Sequence, residues 1–435
     1  MRRTIVHEGA GELSYEIREI VVFGEQLKKA GKEIIWENIG DPVAKGEKIP
    51  AWIKKIIQDT LANDDLAFAY SPTRGLLETR EFIAKMRNAE GGAQITANDI
   101  LFFNGLGDAV SKVYNYLHSG VRIIGPSPAY PTHSSAEAAH AGSRHLTYAL
   151  DPMKNWLPDL EDLRNKVKYN ESIGGILIIN PDNPTGMIYP KVILEGIVAI
   201  AREFDLFIIS DEIYSSLHYG NEAFCPLASV IGDVPGIAMR GLSKEIPWPG
   251  ARCGWIECYN TNKDEQFARY TKSLVDAKML EVCSTTLPQK VLPKIFTHPE
   301  YKEYLAGRRA FYKKRADEAH AVLSKIPHVR VVKPAGAFYV TVVFEEGVLK
   351  AGQTLSIEEK GVEDIVMKTL KKTDALDKRF AYYLMAHNGL CVVPLSGFNT
   401  NLFGFRMTLL ERDDPTFSKT LALLKDAIPL YIKSV

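Results

Sequence analysis

The stretch at residues 176–214, ILIINPDNPTGMIYPKVILEGIVAIAREFDLFIISDEIY, decides the fold of this chain. Two short apolar runs, 176–179 and 206–209, are bounded by Gly, Asn and Asp, which is typical of fully buried strands. The stretch between them, 191–204, has the helical period. One face of that helix carries Ile193, Ile197, Ile200 and Ala201. The pattern predicts a strand, a helix and a strand, the repeating unit of a parallel sheet.

The same alternation extends from about Asp99 to Trp255. Further apolar runs that are typical of buried strands lie at 100–103, 121–124, 237–239 and 253–256. Helical stretches separate them, for example at 109–118 and 132–141. We therefore predict an α/β fold with a large domain, in which a mostly parallel sheet is covered by helices on both faces.

A second, smaller α/β domain is predicted after a long charged helix at 300–325. Its strands are expected at 329–332, 337–344, 390–393 and 403–407, and residues 345–378 are expected to form a surface excursion. We predict that the large domain comprises residues 46–310. The small domain would comprise residues 311–435 together with the N-terminal segment 1–45.

The composition excludes several classes of protein. Of 435 residues 46% are hydrophobic, and 53 Lys and Arg balance 53 Asp and Glu, which excludes a disordered chain and argues against nucleic acid or an anionic membrane as partner. No apolar run approaches the roughly 20 residues of a membrane helix. The five scattered cysteines lack metal-ligand spacing, and no signal peptide is evident. We expect a cytoplasmic protein without a metal site.

Polar motifs follow the predicted strands directly. They are NGLG at 104–107, SPAY at 127–130, NPDNPTG at 180–186, DEIY at 211–214 and SK at 243–244. In an open parallel sheet, ligands bind outside the carboxyl ends of the strands. The motifs supply backbone donors for a phosphate, an aromatic ring, amides, a carboxylate, a phenol and an amine, so we predict the functional site at this edge.

The glycines of the first motif also suggest a dinucleotide fingerprint. That interpretation fails because Val110 occupies the position of the third glycine, and no acidic residue lies roughly twenty residues further on. Backbone donors for a single phosphate remain.

Lys244 and Asp211 each allow two interpretations. A lysine after a strand is commonly a solvated surface charge, but a desolvated amine at the ligand edge can lose its proton and attack a carbonyl. A carboxylate at a buried strand end needs donors or a cation. Asp211 therefore either caps or pairs within the protein, or it faces a protonated ring nitrogen.

Taken in order, the motifs at 180–186, 211–214 and 243–244, with Arg252 and Arg406, resemble the fold type I aminotransferases that use pyridoxal 5'-phosphate. The resemblance is closer to the alanine and aspartate aminotransferase-like branch, and it extends from Ser14 to the C-terminus. It implies an amino acid and a 2-keto acid as substrates and a homodimer as the active unit.

The resemblance also implies roles at the cofactor. Lys244 would hold it as an aldimine and then move the α-proton of the substrate, Asp211 would pair with its ring nitrogen, and Tyr214 and Asn183 would bind its phenolic oxygen. The remaining implied contacts are Tyr130 on the ring face, Ser243, Arg252, Leu106 and Gly107 at the phosphate, and Tyr70 from the neighbouring subunit. His133 either lies behind Asp211 or is a helix-surface histidine.

The same resemblance implies a substrate site. Arg406 would bind the α-carboxylate as a bidentate pair, with Gly40 and Asn183 beside it. Tyr15 and Arg18 would belong to a segment that closes over the substrate, which favours a small side chain. The expected reaction is transfer of an amino group from alanine or aspartate to 2-oxoglutarate.

Departures from the family pattern and rival functions qualify this interpretation. Gly241 stands where many relatives have a serine, residues 245–249 are rich in proline, and 393–398 lacks a common Pro-Gly pair. A lyase or decarboxylase on the same fold is the first alternative. A cofactor-sensing transcription regulator is the second, but it would need a basic DNA-binding extension.

Overall fold

The computed structural model describes residues 5–13 and 16–434, without the side chain of Glu16. The strands in chain order are β1 (Ile35–Trp36), β2 (Ile100–Phe103), β3 (Arg122–Ser127), β4 (Thr147–Asp151), β5 (Leu157–Pro158), β6 (Ile173–Ile179), β7 (Phe207–Asp211), β8 (Gly236–Gly241), β9 (Gly254–Tyr259), β10 (Val329–Val331), β11 (Tyr339–Phe344), β12 (Leu390–Cys391), β13 (Val393–Pro394) and β14 (Gly404–Thr408). The α-helices are α1 (Glu16–Lys29), α2 (Ala51–Asn63), α3 (Leu77–Ala89), α4 (Leu106–Asn115), α5 (Pro131–Ala141), α6 (Leu160–Lys168), α7 (Lys191–Glu203), α8 (Leu242–Glu245), α9 (Glu265–Met279), α10 (Thr286–Phe296), α11 (Tyr301–Leu323), α12 (Lys360–Leu370), α13 (Leu376–Asn388) and α14 (Asp414–Ile432).

The large sheet has eight strands in the order β2-β9-β8-β7-β6-β3-β4-β5. Strands β8, β7, β6, β3 and β4 run parallel, whereas β9 is antiparallel to both of its neighbours and β5 is antiparallel to β4. Ile179 pairs with Asp211, which pairs with Met239. This register brings the carboxyl ends of β6, β7 and β8 level at one edge, as the sequence predicted.

The apolar runs form strands because both faces of the sheet are covered. Ile176, Leu177, Ile208 and Ile209 are all fully buried, since side chains on successive strand residues point to opposite faces and each face meets helices. The predicted fold class, a mostly parallel sheet covered by helices with a second smaller sheet, is confirmed. Within the described residues, none of the helices combines the length and apolar character that crossing a membrane requires.

The smaller sheet is antiparallel and has the order β10-β11-β14-β13. In the N-terminal segment, β1 pairs in parallel with β12, and these two strands form a separate two-stranded sheet. Ile20, Phe23 and Leu27 of α1 belong to the same buried apolar cluster as the strands of the smaller antiparallel sheet. The domain boundaries given above stay a prediction.

Helix α11 links the two cores. Tyr301 and Leu305 near its start pack in the core of the large sheet, whereas Tyr312 and Leu323 pack in the core of the smaller one. The long connecting helix expected at 300–325 is therefore confirmed.

The expectation of a surface excursion at 345–378 is wrong for α12. Val362 and Val366 on this helix are fully buried, and Leu349 and Leu355 before it are 6% exposed. The charged residues of the segment lie on the opposite face of an amphipathic helix, so their presence in the sequence concealed an apolar face.

Candidate active site

A cavity of about 450 Å³ lies at the carboxyl ends of the parallel strands. Its walls come from both sheets and from the N-terminal segment. The residues predicted for the site that line it are Arg18, Gly40, Leu106, Gly107, Tyr130, Asn183, Asp211, Tyr214, Ser243, Lys244, Arg252 and Arg406. The fold thus brings together side chains that are almost 400 positions apart in the chain.

Lys244 lies in the short helix α8, directly after β8. Its Nζ donates a hydrogen bond to the carbonyl oxygen of Gly40. Burial lowers the pKa of the Lys244 amine to about 8; Asp41 opposes this shift and Arg406 adds to it. An amine with this pKa is available near neutral pH as a nucleophile or a base, which an exposed lysine is not.

Asp211 ends β7 and is 4% exposed. Its Oδ1 accepts from the backbone N–H of Ile213 at 3.1 Å, and its Oδ2 lies 3.1 Å from Nε2 of His133. Nδ1 of the fully buried His133 lies 3.3 Å from the hydroxyl of Tyr114. In the tautomer with its proton on Nε2, His133 donates to Asp211 and accepts from the hydroxyl of Tyr114 through Nδ1. Of the two positions considered for His133, the structure places it behind Asp211.

Tyr214 lies in the turn after β7, and its hydroxyl is 2.9 Å from that of Tyr339. Burial raises the pKa of the Tyr214 phenol well above its ordinary value. Tyr339 was not among the residues predicted for the site, because a tyrosine at the start of an apolar strand has the same appearance in the sequence as a core tyrosine. A Cβ on Gly40 would lie 2.2 Å from the Tyr339 hydroxyl, so this close approach requires glycine.

Arg406 lies on β14 and is 1% exposed. Its Nη1 donates to Oδ1 of Asn183 at 2.9 Å, and its Nη2 donates to the carbonyl oxygen of Asn38. The guanidinium carbon lies 4.3 Å from the ring centre of Tyr339 and 5.0 Å from that of Phe398. Nε has no partner, and no carboxylate in the described part of the chain pairs with this cation. A buried cation of this kind fits an anionic ligand.

The opposite side of the cavity provides donors for a phosphate. Helix α4 begins at Leu106, so the first backbone N–H groups of the helix, including those of Leu106 and Gly107, have no partner within the helix. Arg252 lies against Gly105, where a Cβ would come within 2.3 Å of its Nη2. That Nη2 donates to the carbonyl oxygen of Asn104 at 3.2 Å. Ser243 lines the same side.

Gly241 explains one departure noted in the sequence. It ends β8 opposite Gly254 of β9, and a Cβ there would lie 2.9 Å from the carbonyl oxygen of Cys253. A serine at this position would therefore need β9 to move away.

One predicted residue, Tyr70, is 83% exposed and does not line the cavity. The prediction for Tyr15 falls on a residue outside the described part of the chain. Within residues 5–13 and 16–434, no group of three or more His, Cys, Asp or Glu is placed to hold a metal ion.

The donor set fits pyridoxal 5'-phosphate. Lys244 offers an amine to its aldehyde, Asp211 a carboxylate to its ring nitrogen and Tyr214 a phenol to its phenolic oxygen, while Arg252 and the start of α4 offer a cation and N–H groups to its phosphate. This set does not use Arg406, whose Nε has no partner.

Several known proteins that this chain resembles are aminotransferases. The family model described as aminotransferase class I and II matches residues 32–414. An uncharacterized aminotransferase of Methanocaldococcus jannaschii is 53% identical over the full length of both chains. A glutamate-pyruvate aminotransferase of Escherichia coli is 30% identical over 75% of this chain and 79% of its own. The solved structure of an alanine aminotransferase from Pyrococcus furiosus is 26% identical, with a TM-score of 0.83 over 96% of this chain and 98% of that one.

Proposed function

The chain belongs to the class I and II aminotransferases, which are pyridoxal-phosphate-dependent transaminases, and from this premise we propose that it transfers the amino group of a small amino acid to 2-oxoglutarate. Alanine and aspartate are the proposed donors, with alanine first. The observation that carries the proposal is that one cavity contains two cationic groups on different walls. One is a lysine with a lowered pKa, and the other is a buried arginine that lacks a carboxylate partner in the described chain.

Pyridoxal phosphate, when bound, supplies an electron sink for the α-carbon of the substrate. Lys244 is proposed to carry the cofactor at its Nζ and then to move the proton at the substrate α-carbon. Asp211, oriented by His133, would accept the hydrogen bond of the protonated ring nitrogen. Tyr130 would cover the ring, and Tyr214 and Asn183 would hold the phenolic oxygen. Arg252, Ser243 and the amides of Leu106 and Gly107 would hold the phosphate.

Arg406 is proposed to bind the α-carboxylate. Binding would replace the neutral acceptors that Arg406 now uses with an anion, which adds the attraction between two opposite charges at a buried site. Gly40 presents its backbone beside this site. Its carbonyl accepts from Lys244 in this structure, so the amine must leave that oxygen to reach the cofactor.

The walls beside Arg406 support a small substrate. Ile17, Ile39 and Ile213 line the cavity with apolar surface, and Arg18 lies at its exposed rim. Among the described residues, no carboxylate pairs with Arg18, so it can meet the distal carboxylate of 2-oxoglutarate.

A homodimer is proposed because the surface around Tyr70 is apolar and exposed. The hydroxyl of Ser71 donates to the carbonyl of Ser284, which places the two exposed segments side by side. The exposed apolar residues of these segments are Leu66 (66%), Phe68 (73%), Tyr70 (83%), Leu280 (83%) and Val282 (50%). Such a patch marks an interaction surface, from which Tyr70 is proposed to reach the phosphate of the neighbouring site.

A cytoplasmic location is proposed from the thiols alone. All five cysteines are free, and Cys253, Cys258 and Cys391 are buried. Reduced thiols are the rule in reducing compartments.

The function is tested by half-reactions. Purified, cofactor-loaded protein is mixed with single amino acids, and the absorbance of the bound cofactor and the keto acid released are followed. We expect pyruvate from alanine or oxaloacetate from aspartate, and glutamate once 2-oxoglutarate is added. Absence of glutamate across a panel of all common donors would refute the transaminase, and release of ammonia or carbon dioxide would favour a lyase or decarboxylase.

A further inference from the structure

Arg308, in the middle of α11, contacts the main chain of the lysine-bearing turn. It is 3% exposed, and its Nη1 donates to the carbonyl oxygens of both Lys244 and Glu245 at 2.7 Å. Helix α8 is only four residues long, so these carbonyls have no partners within the helix. The guanidinium of Arg308 supplies the hydrogen-bond donors that a further turn of the helix would have supplied to these carbonyls.

The other side of Arg308 faces Glu47, which is 6% exposed. Nε of Arg308 donates to Oε1 of Glu47 at 2.6 Å. The second oxygen of Glu47 accepts from the hydroxyl of Tyr312 at 2.9 Å and pairs with Nη2 of Arg412 at 2.6 Å. Burial acts to raise the pKa of the Glu47 carboxyl, but Arg308 and Arg412 outweigh it, so the pKa lies below its ordinary value.

These contacts join the parts of the chain that build the two halves of the site. Glu47 lies seven residues after Gly40, whose carbonyl accepts from Lys244. Arg412 lies six residues after Arg406, in the loop beyond β14. The two ion pairs of Glu47, one with Arg308 and one with Arg412, therefore link the lysine turn, the Gly40 segment and the loop that follows the arginine strand.

We propose that Arg308 is a positioning residue which, through Glu47, fixes the lysine-bearing turn against the segment of Gly40 and the strand of Arg406. The amine and the carboxylate-binding arginine then keep a constant separation. This inference rests on the proposed function, because it assigns the two groups that Arg308 aligns.

Core stability alone does not account for this arrangement. Burying two charges costs free energy that a well-packed apolar pair would avoid. Here the guanidinium of Arg308 donates to the main-chain carbonyls of the proposed reactive residue, Lys244, and of its neighbour Glu245. Arg308 also adds positive charge near the amine and so contributes to its lowered pKa. The charged groups that act on the Lys244 amine are Asp41, Arg406, Arg308 and Arg252.

The test compares Arg308→Met and Glu47→Gln with Arg309→Met as a matched control. Arg309 is the next residue of α11, and it donates to the carbonyl of Ser216 at 2.7 Å instead of to the lysine turn. The first readout is the midpoint of the pH-dependent absorbance of the bound cofactor. We expect Arg308→Met to raise it by about 0.5 to 1 pH unit because a nearby positive charge is lost. Glu47→Gln should lower the midpoint by a smaller amount, and Arg309→Met should leave it unchanged.

The second readout needs no cofactor. Hydrogen exchange in the full-length protein without cofactor should accelerate for the amides of residues 242–248 in Arg308→Met and Glu47→Gln, but not in Arg309→Met. Turnover should follow, with kcat reduced about tenfold or more and KM changed less, because a positioning defect affects the chemical step.

The inference is supported if the midpoint shifts in opposite directions in Arg308→Met and Glu47→Gln and if hydrogen exchange accelerates selectively at residues 242–248. A general loss of stability would produce neither result. Equal midpoints in Arg308→Met and Arg309→Met, or unchanged exchange at 242–248, overturn it. If Arg308→Met does not fold, Arg308→Lys decides: it keeps the charge and loses the fork, so exchange should rise while the midpoint stays near that of the wild type. A wild type that neither loads cofactor nor transaminates refutes the proposed function instead, and the exchange result without cofactor stands apart from it.

Discussion

The two ends of the large sheet carry two cavities with different chemistry. The cleft at the amino ends of the strands has a volume of about 1040 Å³, more than twice that of the cavity at the carboxyl ends. Its charged lining residues are Arg202, Asp205, Asp233, Lys263, Asp264 and Arg269. Arg202 pairs with Asp233 at 2.9 Å, with 50% and 69% of the two side chains exposed. The smaller cavity holds Arg406, which is 1% exposed and has no carboxylate partner among the described residues.

The difference shows that volume does not make a reactive site. The Arg202–Asp233 pair of the amino-end cleft is largely exposed, and exposed ion pairs contribute little free energy. In the carboxyl-end cavity, burial lowers the pKa of Lys244, and Arg406 has no carboxylate partner among the described residues. Replacing residues at both ends of the sheet therefore tests which cavity is the active site.

The largest effect is expected from Lys244→Ala. Loss of the amine would remove the proposed attachment point of the cofactor and the proposed proton carrier, so transamination should fall by about four orders of magnitude. Lys263→Ala in the amino-end cleft should retain wild-type turnover. The measurement is keto acid formation from alanine with 2-oxoglutarate; turnover of Lys244→Ala within tenfold of the wild type would contradict the role of this lysine.

Asp211→Asn should reduce kcat by about 10² to 10³, because a neutral amide no longer stabilises the protonated ring nitrogen. Asp205→Asn is the control at the amino end. Both variants should bind the cofactor, since Lys244 and the phosphate donors are unchanged. An Asp211→Asn enzyme with the kcat of the control would show that this carboxylate only accepts from His133 and Ile213.

Arg406→Lys keeps the charge but loses the planar fork, so one charge-assisted hydrogen bond to the α-carboxylate is lost. At about 1.5 to 3 kcal/mol for such a bond, kcat/KM should fall roughly 10- to 100-fold. Steady-state kinetics with alanine measure the effect, and Arg269→Lys serves as the control. Equal values for the two variants would remove Arg406 from the substrate site.

The rate of cofactor loading should rise about tenfold between pH 7 and pH 9. An amine attacks only when neutral, and the pKa of Lys244 is about 8, so the loading rate of the cofactor-free protein should rise through pH 8 and then level off. Stopped-flow absorbance measures it, after correction for the titration of free cofactor. A rate that still rises steeply at pH 10 would indicate a lysine with an ordinary pKa.

Local sequence predicts the strands of this structure and the motifs at their ends, but it does not predict the contacts between distant parts of the chain. The buried strands and the motifs at their ends were predictable because each is set by a few adjacent residues. At Asp211, for example, the carboxylate comes directly after the apolar residues of its strand. Tyr339 and the Arg308–Glu47 pair were not, since each contact joins residues more than 100 positions apart. The apolar face of α12 was hidden by its charged residues for the same reason: its partner surface lies elsewhere in the chain.

The role of Lys244 is tested most directly by chemical trapping. Borohydride reduction of the cofactor-loaded protein converts a cofactor carried on a lysine into a stable secondary amine, and peptide mass spectrometry locates it. The geometry of the carboxyl-end cavity predicts one modified peptide, with the added mass on Lys244. Modification of Lys263 at the amino-end cleft, of any other lysine in its place, or of none would contradict it.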